Sequence, residues 1–453
     1  MKKVIKNNVF LVIITTIVVF CVSIYATNKY TASDITFNSS DGTSTNVNDV
    51  INELYNDNID IGGCSSNVVT PNLGAGMIPV TISDDGTVTY VAANSNWYNY
   101  CDKKWANAVI LSSGSYRVGD TIPESSIQSY FVWIPRFRYK LWNTSTASKK
   151  AHSIEIEFET KDTTPSTGSN NGEWLTHPAF TSFNSNGFWV GKFETGYNGA
   201  TSTSAAQVNS SDTSKVIIKP NVYSWRYITV GNIFLTSYNY KRNLDSHMMK
   251  NTEWGAVAYL SHSQFGIGYE VNINNNSSNK TGYSALLSTD QQTYPGTSGD
   301  GSDYNLAYNT KIGYLASTTG NITGVYDMSG GTWEFVAGYI SGNTGSSGLT
   351  PTNYDSKYFD VYNSSSSDTS YTYRILGDAT GEMGPFRNYV DNDSTSRYHN
   401  SWYRDESSFV DSSNPWFGRG GHYSYGTLAG QFYFDGRTGA ASVNIGFRIV
   451  LTP

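Results

Sequence analysis

Residues Trp416 to Leu451 read WFGRGGHYSYGTLAGQFYFDGRTGAASVNIGFRIVL, and this closing stretch decides the fold. Within it, Gln431-Phe432-Tyr433-Phe434-Asp435 alternates polar and aromatic residues. Neighbouring side chains of a strand point to opposite faces. Phe432 and Phe434 are therefore expected to face a core, and Gln431, Tyr433 and Asp435 to face solvent. A second run, Phe447 to Leu451, puts Phe447, Ile449 and Leu451 on one face. Gly420, Gly421, Gly426, Gly430, Gly436, Gly439 and Gly446 mark turns and close backbone approaches between the runs. The expectation is an apolar frame that holds up a row of unlike side chains, a display surface.

The whole chain has 453 residues, enough for several units or for one large β-rich domain with appendages. Charged residues make up 15% and aromatic residues 14%, with 34 tyrosines. A disordered chain is rich in charge and poor in aromatics, so this composition points to a β-rich, loop-rich globule with tyrosines at its surface. The net charge of −7 and the lack of a Lys/Arg cluster beyond the N-terminal tip argue against a nucleic-acid partner. Of the three cysteines, Cys21 lies in an apolar run. Cys64 and Cys101 either form a disulfide, as export would allow, or remain two thiols. Their number excludes a metal site of the paired-cysteine kind.

Lys2, Lys3 and Lys6 precede the apolar run Val9 to Ala26. At about 1.5 Å per residue the run is long enough to cross a bilayer, and the lysines would hold the N-terminus inside. The expectation is a single-pass protein of the cell membrane with its C-terminal domain outside; a cleaved signal peptide is the rival reading. Residues 1–26 are the anchor, 27–77 a stalk and linker with a short amphipathic helix at Val47 to Tyr55, and 78–453 the main domain. Ile78 to Ile82 and Thr87 to Val91 flank Asp84-Asp85-Gly86 as a hairpin. Trp97 to Leu111, Tyr130 to Trp142 and Gly187 to Glu194 read as strands, and Thr229 to Tyr238 and Thr252 to Ser263 as helices. Asn272 to Asn309 and Ser341 to Ser370 read as surface insertions. In the first of these, Asp300 and Asp303 are either a calcium site or a solvated loop.

Several segments resemble, in order, the formylglycine-generating-enzyme/sulfatase-modifying family. Lys250-Asn-Thr-Glu-Trp-Gly-Ala-Val-Ala is similar to its "TEAEWEYAA" helix. The stretch from Thr319 through Tyr326-Asp-Met-Ser-Gly-Gly-Thr-Trp-Glu-Phe-Val is similar to "GLYDMSGNVWEWV". Arg419-Gly420-Gly421 resembles "RGGSW", Gly446-Phe447-Arg448 resembles the closing "GFR", and Gly187 to Glu194 resembles an early strand. The resemblance covers Ile78 to Leu451 and implies an α+β, C-type-lectin-like domain with long loops, preceded by the transmembrane helix and stalk.

Fold does not settle function, and here the departures matter. The family's oxidases carry active cysteines between "RGGSW" and "GFR", whereas His422 to Ile445 contains none. The six histidines (His152, His177, His247, His262, His399 and His422) form no close pair in sequence, which speaks against a facial metal triad. No cofactor is expected and no catalytic residue is assigned. An enzyme of this fold with an unlisted site, or a structural surface or phage-tail component, are the alternatives.

The closing stretch is similar to the variable region of diversity-generating-retroelement target proteins. That resemblance implies a fixed frame with changeable positions between. The frame is Trp333, Glu334, Arg419, Gly420, Gly421, Phe432, Phe434, Gly446, Phe447 and Arg448, with the two arginines paired to a buried carboxylate or carbonyl and Glu334 as candidate partner. The changeable, ligand-binding positions are Gly418, His422, Ser424, Tyr425, Thr427, Leu428, Gln431, Tyr433, Asp435, Arg437, Thr438, Ser442 and Asn444. Tyr423 joins the tyrosines of this face, and Trp402, Tyr403 and Arg404 either extend it or pack in the core. Tyrosine and arginine carry much of the energy of interfaces. The expected partner is an unknown protein or glycan, held by a membrane-tethered binding protein.

Overall fold

The computed structural model describes residues 36–38, 44–46, 70–142, 151–285, 306–363, 375–380, 382–383 and 401–453. The chain divides into two compact units, Met1–Ser65 and Ser66–Pro453. In the first, Thr36–Asn38 pairs antiparallel with Ser44–Asn46.

The second unit starts with a hairpin. Strands β1 (Met77–Ile82) and β2 (Val88–Tyr90) pair antiparallel, Val80 opposite Tyr90 and Ile82 opposite Val88. Gly86 closes the turn at φ +89°, a conformation open to glycine and costly for other residues. Next come β3 (Asn107–Leu111), β4 (Ile127–Pro135) and β5 (Gly187–Gly191). Then follow helix α1 (Val230–Tyr240), β6 (His247–Met248) and helix α2 (Asn251–Ser261). The rest of the chain supplies β7 (Trp333–Ile340), β8 (Asp360–Tyr362), β9 (Trp416–Gly420), β10 (Gly430–Arg437), β11 (Ile445–Phe447) and β12 (Ile449–Leu451).

The main sheet has the order β6-β12-β5-β4-β3-β1-β2, antiparallel throughout. From Ser129 to Pro135, β4 is buried on both faces, so its sequence runs nearly continuously apolar. The second sheet has the order β8-β7-β9-β10, and β11 also pairs with β7. β7 is parallel to β8 and β11 and antiparallel to β9. Strand β7 is buried along its whole length.

Thr229 caps α1, its side chain accepting the Asn232 N–H at 3.3 Å. At the start of α2, Glu253 reaches back to the Lys250 N–H at 2.8 Å. Every residue of α2 is buried, and the Trp254 indole donates to the Gln431 carbonyl at 2.8 Å. This helix is the pillar behind β10.

Four expectations are corrected. The α+β, C-type-lectin-like assignment gives way to a chain built mostly of β-sheets, with two α-helices among the described residues. The membrane assignment is withdrawn. No helix among the described residues is long and apolar enough to cross a membrane, and Val9 to Ala26 lies outside them, so an anchor has no structural support. The Phe447 to Leu451 run is not one strand, because the chain passes at Arg448 from the second sheet into the main one. Tyr130 to Trp142 likewise breaks at Arg136, and Phe137–Lys140 joins Ile156–Phe158 and Trp174–Thr176 in a separate sheet. Cys101 is disulfide-bonded. The Val47 to Tyr55 helix and the Asp300 and Asp303 loop lie outside the described residues.

Candidate functional site

Strands β9 and β10 pair with a break in register. Arg419 lies opposite Phe434, but the next residue, Gly420, lies opposite Gly430. The surplus residues of β10 bulge, and a bulge re-aims side chains. Gln431 turns toward α2, its amide donating to the Ser261 hydroxyl at 3.0 Å. The outer side of β10 is covered as well. Phe434 N–H donates to the Glu406 carbonyl at 3.0 Å, and Ser408 N–H donates to the Phe434 carbonyl at 2.9 Å.

Simple alternation therefore misplaces the strand. Phe432 and Phe434 are buried as expected, but Gln431, Tyr433 and Asp435 are buried too, at 2%, 0% and 8% exposure. Their expected solvent-facing display is overturned. The bulge and the covering segment 405–408 are the physical reasons. Trp402 is also buried, and Tyr403 is half-buried with its ring stacked on Phe432.

The other candidate positions separate by depth. Ser424 and Thr438 are exposed, and Tyr425, Leu428, Arg437, Ser442 and Asn444 are half-buried. Gly418 and His422 are buried. The side chains of Thr427 and Arg404 lie outside the described set.

Arg437 is where these positions meet. Its Nε donates to Asp435 Oδ1 at 2.9 Å, a second guanidinium nitrogen pairs with Oδ2, and its charge sits 4.2 Å from the centre of the Trp333 ring. A guanidinium held both by a carboxylate fork and by an aromatic face is fixed in direction. His422 stacks on Trp333 at 5.0 Å between ring centres, and Tyr425 meets the same indole edge-on at 4.7 Å. Tyr433 lies edge-on to Tyr425 at 6.2 Å. Gly418 makes room beneath, since a Cβ there would come 2.7 Å from Asp435 Oδ1.

Burial sets the charge states. The Glu406 carboxyl is pushed up to about 7 by burial and by the nearby Asp435, against the pull of Arg437. Burial also raises Asp435, with Arg437 opposing. His422 is lowered to about 4 by burial and by the guanidiniums of Arg226 and Arg437, so its ring is neutral at pH 7. Among the described residues, the Tyr433 hydroxyl, Glu406 Oε2, the Trp333 indole N–H and His422 Nε2 have no hydrogen-bond partner.

Beneath this layer lies the frame. Arg448 donates through Nε to Glu334 Oε2 at 3.0 Å and also to the carbonyls of Gly191 and Tyr326 at 2.8 and 3.0 Å. Arg419 donates to Asn251 Oδ1 at 3.2 Å and to the carbonyls of Asp378 and Gln431 at 3.3 and 3.4 Å. Gly421, at φ +80°, lies where a Cβ would strike Ala429 at 2.5 Å. A Cβ on Gly446 would stand 2.8 Å from Thr332 Oγ1.

Sequence reasoning missed three contributors. Glu406 belongs to no motif and reaches the site only because 405–408 lies along β10. Tyr227 and Val443 are 46% and 43% exposed, and Tyr227 N–H donates to the Ser442 carbonyl at 2.9 Å. Tyr227 also has φ +57°, an uncommon conformation for a bulky residue. No local sequence signal announces it. Among the described residues, no group of three or more His, Cys, Asp or Glu side chains is arranged to hold a metal ion.

No protein-family model and no curated protein matches the chain. Six chains of solved structures show a likeness, and two of them illustrate how weak it is. The first, "Major Tropism Determinant I1 Variant", has 15% identity and a TM-score of 0.28, over 85% of this chain and 74% of that one. The second, "Major Tropism Determinant P3c Variant", has 12% identity and a TM-score of 0.26, over the same shares. At such scores the likeness carries no argument about fold or function.

Proposed function

We propose that this chain is a binding protein that presents the rim around Arg437 to a protein or glycan ligand. The observation that carries the reading is the fixed, half-buried guanidinium of Arg437. It stacks on Trp333, pairs with Asp435 and shares the Trp333 indole with Tyr425. Rigid aromatic and arginine groups at a partly desolvated rim are the usual anchors of recognition. A finer reading, also proposed, is that the closing segment is a diversified region of the retroelement-target kind. It now concerns the rim positions Ser424, Tyr425, Leu428, Arg437, Thr438, Ser442 and Asn444.

The rim is smaller than a standard interface, which uses roughly 20–30 residues a side. Tyr227 and Val443 enlarge it, and the ligand contact remains of modest size. The test is a screen of the full-length chain on arrays of glycans and cell-surface proteins, beside the Arg437→Ala and Tyr425→Ala variants. A ligand bound by the parent and lost by both variants supports the reading. Failure of every ligand to bind, or equal binding by the variants, removes it.

A further inference from the structure

The sequence has no basic cluster past its N-terminal tip, yet folding assembles a small one from three separated segments. Gly196–Tyr197 pairs antiparallel with Val216–Ile217, and Gly196 also bridges Ser224. That register puts Tyr197 opposite Tyr223, and the Tyr197 N–H donates to the Tyr223 carbonyl at 3.0 Å. Residues opposite each other in an antiparallel pair share a face. Tyr223 in turn bridges Lys280 on its other side. The result is two half-buried tyrosines side by side, each with an ammonium against its ring. Lys215 Nζ lies 5.7 Å from the Tyr197 ring centre, and Lys280 Nζ lies 5.1 Å from that of Tyr223.

Neither lysine has a carboxylate within ion-pair distance among the described residues. Lys280 Nζ donates instead to Asn221 Oδ1 at 3.1 Å, and the same oxygen accepts the Tyr283 hydroxyl at 2.9 Å. The neighbouring Lys219 is already neutralised by Glu124 at 3.2 Å. Exposed Asp212 feels the charge of Lys215, but its carboxylate is held chiefly by Ser214, whose N–H donates to it at 3.0 Å. Two ammoniums without a close ion pair, each against a tyrosine ring, stand out on a chain of net charge −7.

We propose that Tyr197, Lys215, Asn221, Tyr223, Lys280 and Tyr283 form a second binding face for an anionic polysaccharide, separate from the Arg437 rim. The flat tyrosine rings take the C–H faces of sugar rings. The amide and phenol groups take sugar hydroxyls, and the two ammoniums take carboxylates spaced along the chain. A nucleic acid fits less well. Its backbone carries about one charge per 1.7 Å of duplex, which two lysines cannot answer on an acidic protein.

The test titrates the full-length chain with polygalacturonate, with neutral dextran and oligothymidylate as comparison probes. Polygalacturonate is expected to bind, and binding is expected to weaken as salt shortens the Debye length. Lys215→Met and Lys280→Met should each reduce affinity about tenfold, and Tyr223→Ala should weaken it. Unaltered thermal unfolding of the methionine variants shows that they fold. Absence of polygalacturonate binding, or binding indifferent to both lysine variants, overturns the proposal. Tighter binding of oligothymidylate overturns it in favour of a nucleic-acid face. Because Arg437→Ala tests the other rim, failure here leaves that reading standing.

Discussion

Arg448 Nη2 reaches Glu334 Oε1 at 2.5 Å, at the residue where the chain leaves one sheet for the other. Both side chains are essentially sealed from solvent. Truncating one partner of a buried pair strands the other charge, at about 3–5 kcal/mol. Arg448→Ala should therefore cost about that much in chemical denaturation. A loss below about 1 kcal/mol would show that the pair does not join the sheets.

Gly418 was expected to be free to change, but its backbone lies under the Asp435–Arg437 pair. Gly418→Ala should push the Asp435 carboxylate aside at a cost of about 1–3 kcal/mol, the usual range for overpacking. It should also weaken any ligand that needs Arg437. Calorimetric unfolding at parent-like stability would sink this prediction.

The buried Tyr433 hydroxyl makes no direct hydrogen bond among the described residues, although it lies within electrostatic reach of the Asp435 carboxylate and the Arg437 guanidinium. Removing a buried, unpaired polar group releases its desolvation penalty. Tyr433→Phe should be neutral or slightly stabilising, by up to about 1 kcal/mol, and should leave ligand affinity alone. A marked loss of affinity would return Tyr433 to the recognition surface.

Glu406 titrates near 7 when folded and near the ordinary 4.5 when unfolded. The folded state therefore holds its proton more tightly. The associated stability is full below about pH 4.5 and is lost as pH rises through about 7. The predicted size is on the order of 3 kcal/mol. Denaturation midpoints from pH 5 to 8 should fall more steeply for the parent than for Glu406→Gln. Identical slopes would rule out this role for Glu406.

Some of this was legible in the sequence because the cues were local. Asp84-Asp85-Gly86 between β-formers produced the β1–β2 turn, and apolar spacing located both helices to within two residues of their observed ends. The glycine-flanked Arg448 and Glu334 beside Trp333 could be picked out as frame. What failed depended on distant parts of the chain. Tyr433 looks half-exposed only while segment 405–408 is ignored. Phe447 to Leu451 looks like one strand because alternation cannot reveal that its halves have partners in different sheets. Tyr227 enters the rim across a separation that no window of sequence spans.

The strip of chain at 405–408 does more than hide side chains. A free sheet margin offers an open row of N–H and C=O groups to any passing strand, including one from a second copy. Here Phe434 already spends its N–H and C=O on residues 406 and 408. Substitutions at the proposed rim can thus change its side chains without opening this margin as a template for a second copy.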